Sequence, residues 1–239
     1  MNLPAENTIN RTSAPAAGRW GILSTEMDRL LFLSILFSCL LTAVRVLRTE
    51  HYYFAFLVWN LLLAYIPYLV STRLTRLDAK GAARGPGWWT LALLWLLFIP
   101  NSFYIITDLY HLEDLHQTRN MPQWFDLVMI LSFVWNGLLL GVLSVRQMER
   151  LFFPRLSLVN ELLFLYPIMW LNALGIYIGR YLRYNSWDIV TDPFRLLRDT
   201  AMMVVHPFRH HDAWDMVLCF SIMMTLIYLM MKRISKALT

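Results

Sequence analysis

The stretch FIPNSFYIITDLYHLEDLH, residues 98–116, sets a carboxylic acid and an imidazole three residues apart at the end of an apolar run. Asp108 and His111 are side-chain types able to take and give protons in a reaction, or to share a bound ion. At about 100° per residue, Asn101, Tyr104, Asp108 and His111 fall within one narrow arc of a helix. Pro100 has no N–H to offer the Leu96 carbonyl, so a kink that bares a backbone polar group is expected there. The spacing predicts a polar stripe from that kink to the helix end, with Glu113, Asp114 and His116 pointing elsewhere. In hydrocarbon such a stripe has to face protein or a water-filled cavity.

Further groups could join it. Arg180 and Arg183 follow another apolar run and suit the binding of an anion. Asp126 offers a second acid or base. His206, His210 and His211, with Asp212 or Asp215, could supply the three ligands of a zinc or other divalent metal site, with His111 and Asp108 as further donors. No HExxH is present and Pro207 interrupts a helical His206–His210 pair, so a solvated loop is the competing reading. Arg180, Arg183 and Arg209 facing Asp108, Asp126 and Asp188 could equally be a charge network that only closes the end of a bundle. Gly-rich phosphate loops, the G-x-S-x-G elbow and CxxC are absent from the sequence.

These residues need a membrane scaffold. Of 239 residues, 58% are hydrophobic and 15% charged, against about 25% charged in soluble domains. The net charge of +5 is spread in short clusters between apolar runs, which is a topology signal and not a nucleic-acid one. Residues 1–25 read as a disordered tail, and 26–239 as a single integral membrane domain. Six all-α spans are predicted: Leu30–Val44, Tyr52–Val70, Trp88–Thr107, Trp124–Val145, Leu162–Leu182 and Trp214–Met231. The first is short, so its flanking Arg29 and Arg45 are expected to snorkel to the surface. Cys39 and Cys219 sit within apolar runs and read as packing residues.

With the N-terminus inside, thirteen Lys and Arg fall on inner segments and eight on outer ones. The positive-inside rule then places both termini in the cytoplasm. All six histidines, together with Asp108, Asp126 and Asp188, come to the outer side.

Asn60, Asn136 and Asn172 lie inside spans and could hydrogen-bond between helices. GLLLG (Gly137, Gly141) and GIYIG (Gly175, Gly179) would let backbones approach. Between the fifth and sixth spans, Asp192-Pro193 reads as a cap and first-turn proline. Phe194, Leu197 and Ala201 then share one face, opposed by Arg195, Arg198 and Asp199: a short amphipathic helix lying on the membrane surface.

FIPNSFYIITDLYHL, WFDLVMILSFVWNGLLLG, GRYLRYNSWD and HPFRHHDAW, taken in order, resemble successive blocks of a bacterial family of multi-span membrane proteins, domain of unknown function 1361, over roughly residues 30–232. The resemblance implies bacterial origin, a plasma-membrane location and a shared polar constellation. That set comprises Pro100, Asn101, Tyr104, Asp108, His111, Asp126, Arg180, Arg183, Asn185, Trp187, Asp188 and His206. It implies no reaction.

The leading expectation is a polar pocket, lined by the third to sixth spans and open to the extracytoplasmic side, that binds or acts on a polar or lipid-linked envelope substrate. Asp108, His111 and Asp126 would be its acid, base or proton-carrying groups. Asn101, Tyr104, Arg180, Arg183, Asn185, Trp187 and Asp188 would bind substrate. A small-solute or proton-coupled transporter is the alternative, although only the third span is clearly broken near polar residues. A non-catalytic scaffold with a membrane-protein partner, or as a homo-oligomer, is the other.

Overall fold

A computed structural model describes residues 26–117, 121–153, 158–184 and 188–237. The described residues are mostly helical: α1 Glu26–Thr49, α2 Phe56–Ala79, α3 Pro86–Tyr104, α4 Gln123–Phe152, α5 Leu158–Arg180, α6 Asp188–Thr191, α7 Pro193–Val205 and α8 His211–Ala237, with 3-10 segments at Tyr53–Ala55, Ile105–Gln117 and Pro207–His210. Six of these segments are long and apolar enough to cross a membrane. This is the helical bundle that the six apolar runs predict, because in hydrocarbon only a helix or a closed barrel satisfies every backbone polar group. The tail at 1–25 lies outside the described residues.

The first span differs from expectation. α1 has 24 residues, about 36 Å at a rise of ~1.5 Å per residue, which exceeds the ~30 Å hydrocarbon core. Arg45 therefore lies within the helix, and it does not snorkel. It turns inward and is only 1% exposed.

α4 is the axis of the bundle. α2 packs on both α3 and α4, α1 lies against α4, and α5 lies against α3 and α8. One apolar core joins α2, α3, α4, α5 and α8 around Trp95, Phe103, Met169 and Tyr228, and a second joins α1, α2 and α4 around Phe54, Met129 and Phe133. Outward, α1 exposes Leu30, Leu33, Leu36 and Leu40, the surface a lipid-facing helix needs.

Polar side chains fasten the helices where prolines disturb the backbone. Ser144 donates to the Pro67 carbonyl at 3.0 Å and accepts from the Trp95 indole at 2.7 Å. Ser71 reaches Ser144 at 3.0 Å and Gln147 at 2.6 Å, which completes a tie among α2, α3 and α4. Of the in-span asparagines, Asn136 crosses to Ser38 of α1 at 2.9 Å, whereas Asn172 donates to Ile168 of its own helix.

Both glycine pairs serve close packing, and both receive the same stretch of α3. A Cβ on Gly137 would stand 2.9 Å from the Ser102 carbonyl oxygen, and one on Gly175 would stand 2.8 Å from the Pro100 ring. Gly141 faces Phe103 and Gly179 faces Tyr104. The proline-containing turn of α3 is thus clamped between α4 and α5.

The amphipathic helix forms as its sequence predicts. Asp192 caps α7, its side chain accepting from the Arg195 N–H, and Pro193 opens the first turn.

Candidate functional site

The α-helical course of α3 ends at Tyr104, and from Ile105 to Gln117 the chain continues as a 3-10 helix. The Thr107 hydroxyl donates to the Tyr104 carbonyl at 2.7 Å, occupying an acceptor at the changeover. In 3-10 geometry each residue turns about 120°, so side chains three apart eclipse. The expected four-residue stripe therefore breaks at Ile105. Asp108 and His111 remain on one edge, above Ile105. Tyr104 lies against Gly179 of α5, and Asn101 donates to the Phe98 carbonyl at 3.0 Å.

Asp108 is fully buried. Its Oδ2 accepts from Asn60 of α2 at 3.0 Å, and its Oδ1 stands 3.9 Å from Nη1 of Arg180. Oδ1 has no hydrogen bond among the described residues. The same Arg180 Nη1 lies 3.2 Å from Nε2 of His111. A guanidinium only donates, so Nε2 accepts, and the proton of a neutral imidazole rests on Nδ1. That nitrogen faces the Tyr53 hydroxyl at 3.4 Å. Phe56 packs beside the imidazole, and Arg180 lies 5.4 Å from the centre of the Tyr110 ring.

The cluster is thus Asn60, Asp108, Arg180, His111 and Tyr53, graded from a buried carboxylate to a partly exposed edge. Arg180 is 19% exposed and Asp108 1% at the side chain. A buried carboxylate with one oxygen held and the other facing a cation can hold a proton or position a ligand's donor group. The arginine beside it can hold an anion. The contributing spans are the second, third and fifth, where the third to sixth were expected.

Asp126 is engaged elsewhere. Its two oxygens take Nε of Arg45 at 2.6 Å and Nη2 at 3.3 Å, and both side chains are 1% exposed. Phe54 covers the guanidinium at 4.2 Å from the ring centre. The pair locks α1 to α4.

The remaining predicted residues are dispersed. Arg183 is exposed and ends the turn after α5 with a left-handed φ of 59°. Asp188 opens α6 and accepts from Thr191 at 3.2 Å. Asn185 and Trp187 lie outside the described residues. His206 closes α7 half-buried, and His211 meets Asp212 at 3.2 Å on the exposed surface. Among the described residues no three His, Cys, Asp or Glu side chains stand together as a metal site. Nearby, Tyr184 donates to Asp199 of α7 at 2.7 Å. Partial burial and that carboxylate push its hydroxyl above the ordinary value for tyrosine.

A second polar cluster, unforeseen from the sequence, occupies the other end of the bundle. The Tyr228 hydroxyl and the Lys232 ammonium both reach Glu149. Lys232 also meets Glu161 at 2.7 Å, and Arg233 meets Glu161 at 3.1 Å. Two carboxylates and two cations there bind α4, α5 and α8. The only sequence signal is that Glu149 and Glu161 flank one loop while Lys232 and Arg233 follow the last span.

The family described as "Protein of unknown function (DUF1361)" matches residues 59–227, well over half the chain. The chain belongs to the DUF1361 family. The DUF1361 match begins inside α2 and ends inside α8, so it takes in Asn60, Asp108, His111, Asp126 and Arg180 but not Tyr53 or Arg45. No curated protein and no solved structure matches the chain.

Proposed function

We propose that this DUF1361 protein binds or acts on a polar or lipid-linked envelope substrate at the Asp108 cluster, from the extracytoplasmic side of a bacterial plasma membrane. The observation that carries the reading is the Asp108 carboxylate, fully buried, with Oδ2 held by Asn60 and Oδ1 3.9 Å from Arg180 without a hydrogen bond among the described residues. Burying a carboxylate beside a cation costs several kcal/mol in desolvation (order of magnitude). In the equally buried Arg45–Asp126 pair both carboxylate oxygens are engaged, whereas Asp108 keeps one oxygen without a hydrogen bond among the described residues, and that difference favours a ligand-binding role over a merely structural one. In this reading Arg180 receives the anionic or electron-rich part of the substrate, Asp108 exchanges a proton with it, and His111, between Arg180 at Nε2 and Tyr53 at Nδ1, holds the guanidinium in position.

The basic residues favour both termini in the cytoplasm, which puts the Asp108 end outside. A fluorescent protein fused after Thr239 should then fluoresce, and a periplasmic phosphatase fused there should stay inactive.

The function is tested by purifying wild-type protein, Asp108→Asn and Arg180→Gln from the same membranes and comparing co-purifying amphiphiles by mass spectrometry, alongside a deletion-strain phenotype. Variants that keep the wild-type elution profile should lose a bound species and fail to complement. Folded variants with unchanged cargo and full complementation would refute the site.

A further inference from the structure

α7 has three sectors. Toward the bundle lie Leu196, Asp199 and Met203; Met203 is 2% exposed, its carbonyl accepts from the Trp214 indole at 3.3 Å, and Asp199 takes the Tyr184 hydroxyl. On the opposite side Phe194, Leu197, Val204 and Val205 are exposed, Phe194 by 84%. Arg198 and Arg195 form one flank between these faces, and both are exposed. Arg209 follows beside Phe208, which is 94% exposed.

Four acids of this region have partners, while Asp215 is exposed at the start of α8. Asp192 caps α7, Asp188 accepts from Thr191, Asp199 from Tyr184, and Asp212 meets His211. No ion pair holds Arg195, Arg198 or Arg209 among the described residues. Only the turn Pro207–His210 separates α7 from α8, so its exposed apolar face lies directly beside the start of the last apolar span, Pro207–Ser235. A surface that is greasy on one side and carries unpaired guanidinium groups beside it matches acyl chains lying next to phosphate.

We propose that α7 with Phe208–Arg209 is a docking surface for anionic phospholipid headgroups in the leaflet on the Asp108 side. Phe194, Leu197, Val204, Val205 and Phe208 sit at the acyl boundary, and Arg195, Arg198 and Arg209 pair with the phosphates. The surface is separate from the Asp108 cluster and does not depend on its chemistry.

The test uses the full chain in nanodiscs doped with photoactivatable phosphatidylglycerol or phosphatidylcholine, with labelling of the peptide spanning α7 and Phe208–Arg209 read by mass spectrometry. Wild type should label preferentially with phosphatidylglycerol. Changing Arg195, Arg198 and Arg209 to Gln should weaken that labelling by about fivefold for each arginine removed, while the corresponding Lys variant retains most of it. Equal labelling by the two lipids, or an unchanged Gln variant with a wild-type elution profile, would overturn the proposal. So would displacement of the label by inorganic phosphate at the lipid's own concentration, since that would assign the arginines to a free anion.

Discussion

Replacing Asp126 with Ala should destabilise the bundle severely while leaving no specific chemical defect. Asp126 holds Arg45 through two contacts, at 2.6 and 3.3 Å, with both side chains 1% exposed. Removing one partner of such a buried pair costs about 3–5 kcal/mol, because the remaining charge loses its counter-ion without regaining water. Asp126→Asn keeps an acceptor oxygen near Nε and should cost less, about 2–3 kcal/mol, the scale of a charge-assisted hydrogen bond. The double variant Arg45→Met/Asp126→Leu removes both charges and fills similar volume. It should return to within about 1–2 kcal/mol of wild type, the residue of the loss being the cation–π contact with Phe54. Unfolding in detergent–lipid mixtures titrated with dodecyl sulfate gives these differences, and the cycle gives the coupling directly. Costs that add in the double variant would refute the pair as the cause. A stable, folded Asp126→Ala protein that has lost all function would return Asp126 to the catalytic set.

Further outcomes follow from the glycine contacts, the Lys232 cluster and the α7 cap. Gly137→Ala and Gly175→Ala bring a methyl to 2.9 Å from the Ser102 carbonyl and 2.8 Å from the Pro100 ring, so each should lose about 1–3 kcal/mol by overpacking. Gly87→Ala, with nothing within 4 Å, should be near neutral in the same unfolding assay. Lys232→Met leaves Glu149 and Glu161 without their shared cation and should lower stability by about 3–5 kcal/mol, with most of it restored when both glutamates become Gln. Asp192→Ala removes the cap of α7 and should increase hydrogen exchange in its first turn by the equivalent of about 1 kcal/mol.

The distance over which each feature acts explains what was legible beforehand. Asp192-Pro193 specifies its helix start within two residues, because a cap acts on neighbouring N–H groups. The glycine pairs showed that something packs closely, but not that Pro100 and Ser102 would fill both gaps. The stripe from Asn101 to His111 rested on one helical period, and the change to 3-10 geometry at Ile105 cannot be read from residue spacing. Arg45 looked like a snorkelling terminus because the apolar run around it is short. The helix continues to Thr49, and the partner waiting for Arg45 is 81 residues away.

By itself, then, the sequence determined the solvent and the class. Six apolar runs in a weakly charged chain admit only helices that satisfy their own backbones within lipid, and the amphipathic segment after the fifth was written in its alternation of Phe, Leu and Arg. Tertiary structure alone decided which ionisable groups meet. Asp108 joined Asn60, Arg180 and His111, Asp126 was taken by Arg45, and Glu149 and Glu161 gathered Lys232 and Arg233 at the far end. Charge pairing in a bundle depends on how whole helices rotate about their axes, and that rotation is set by packing across the chain, not by spacing along it.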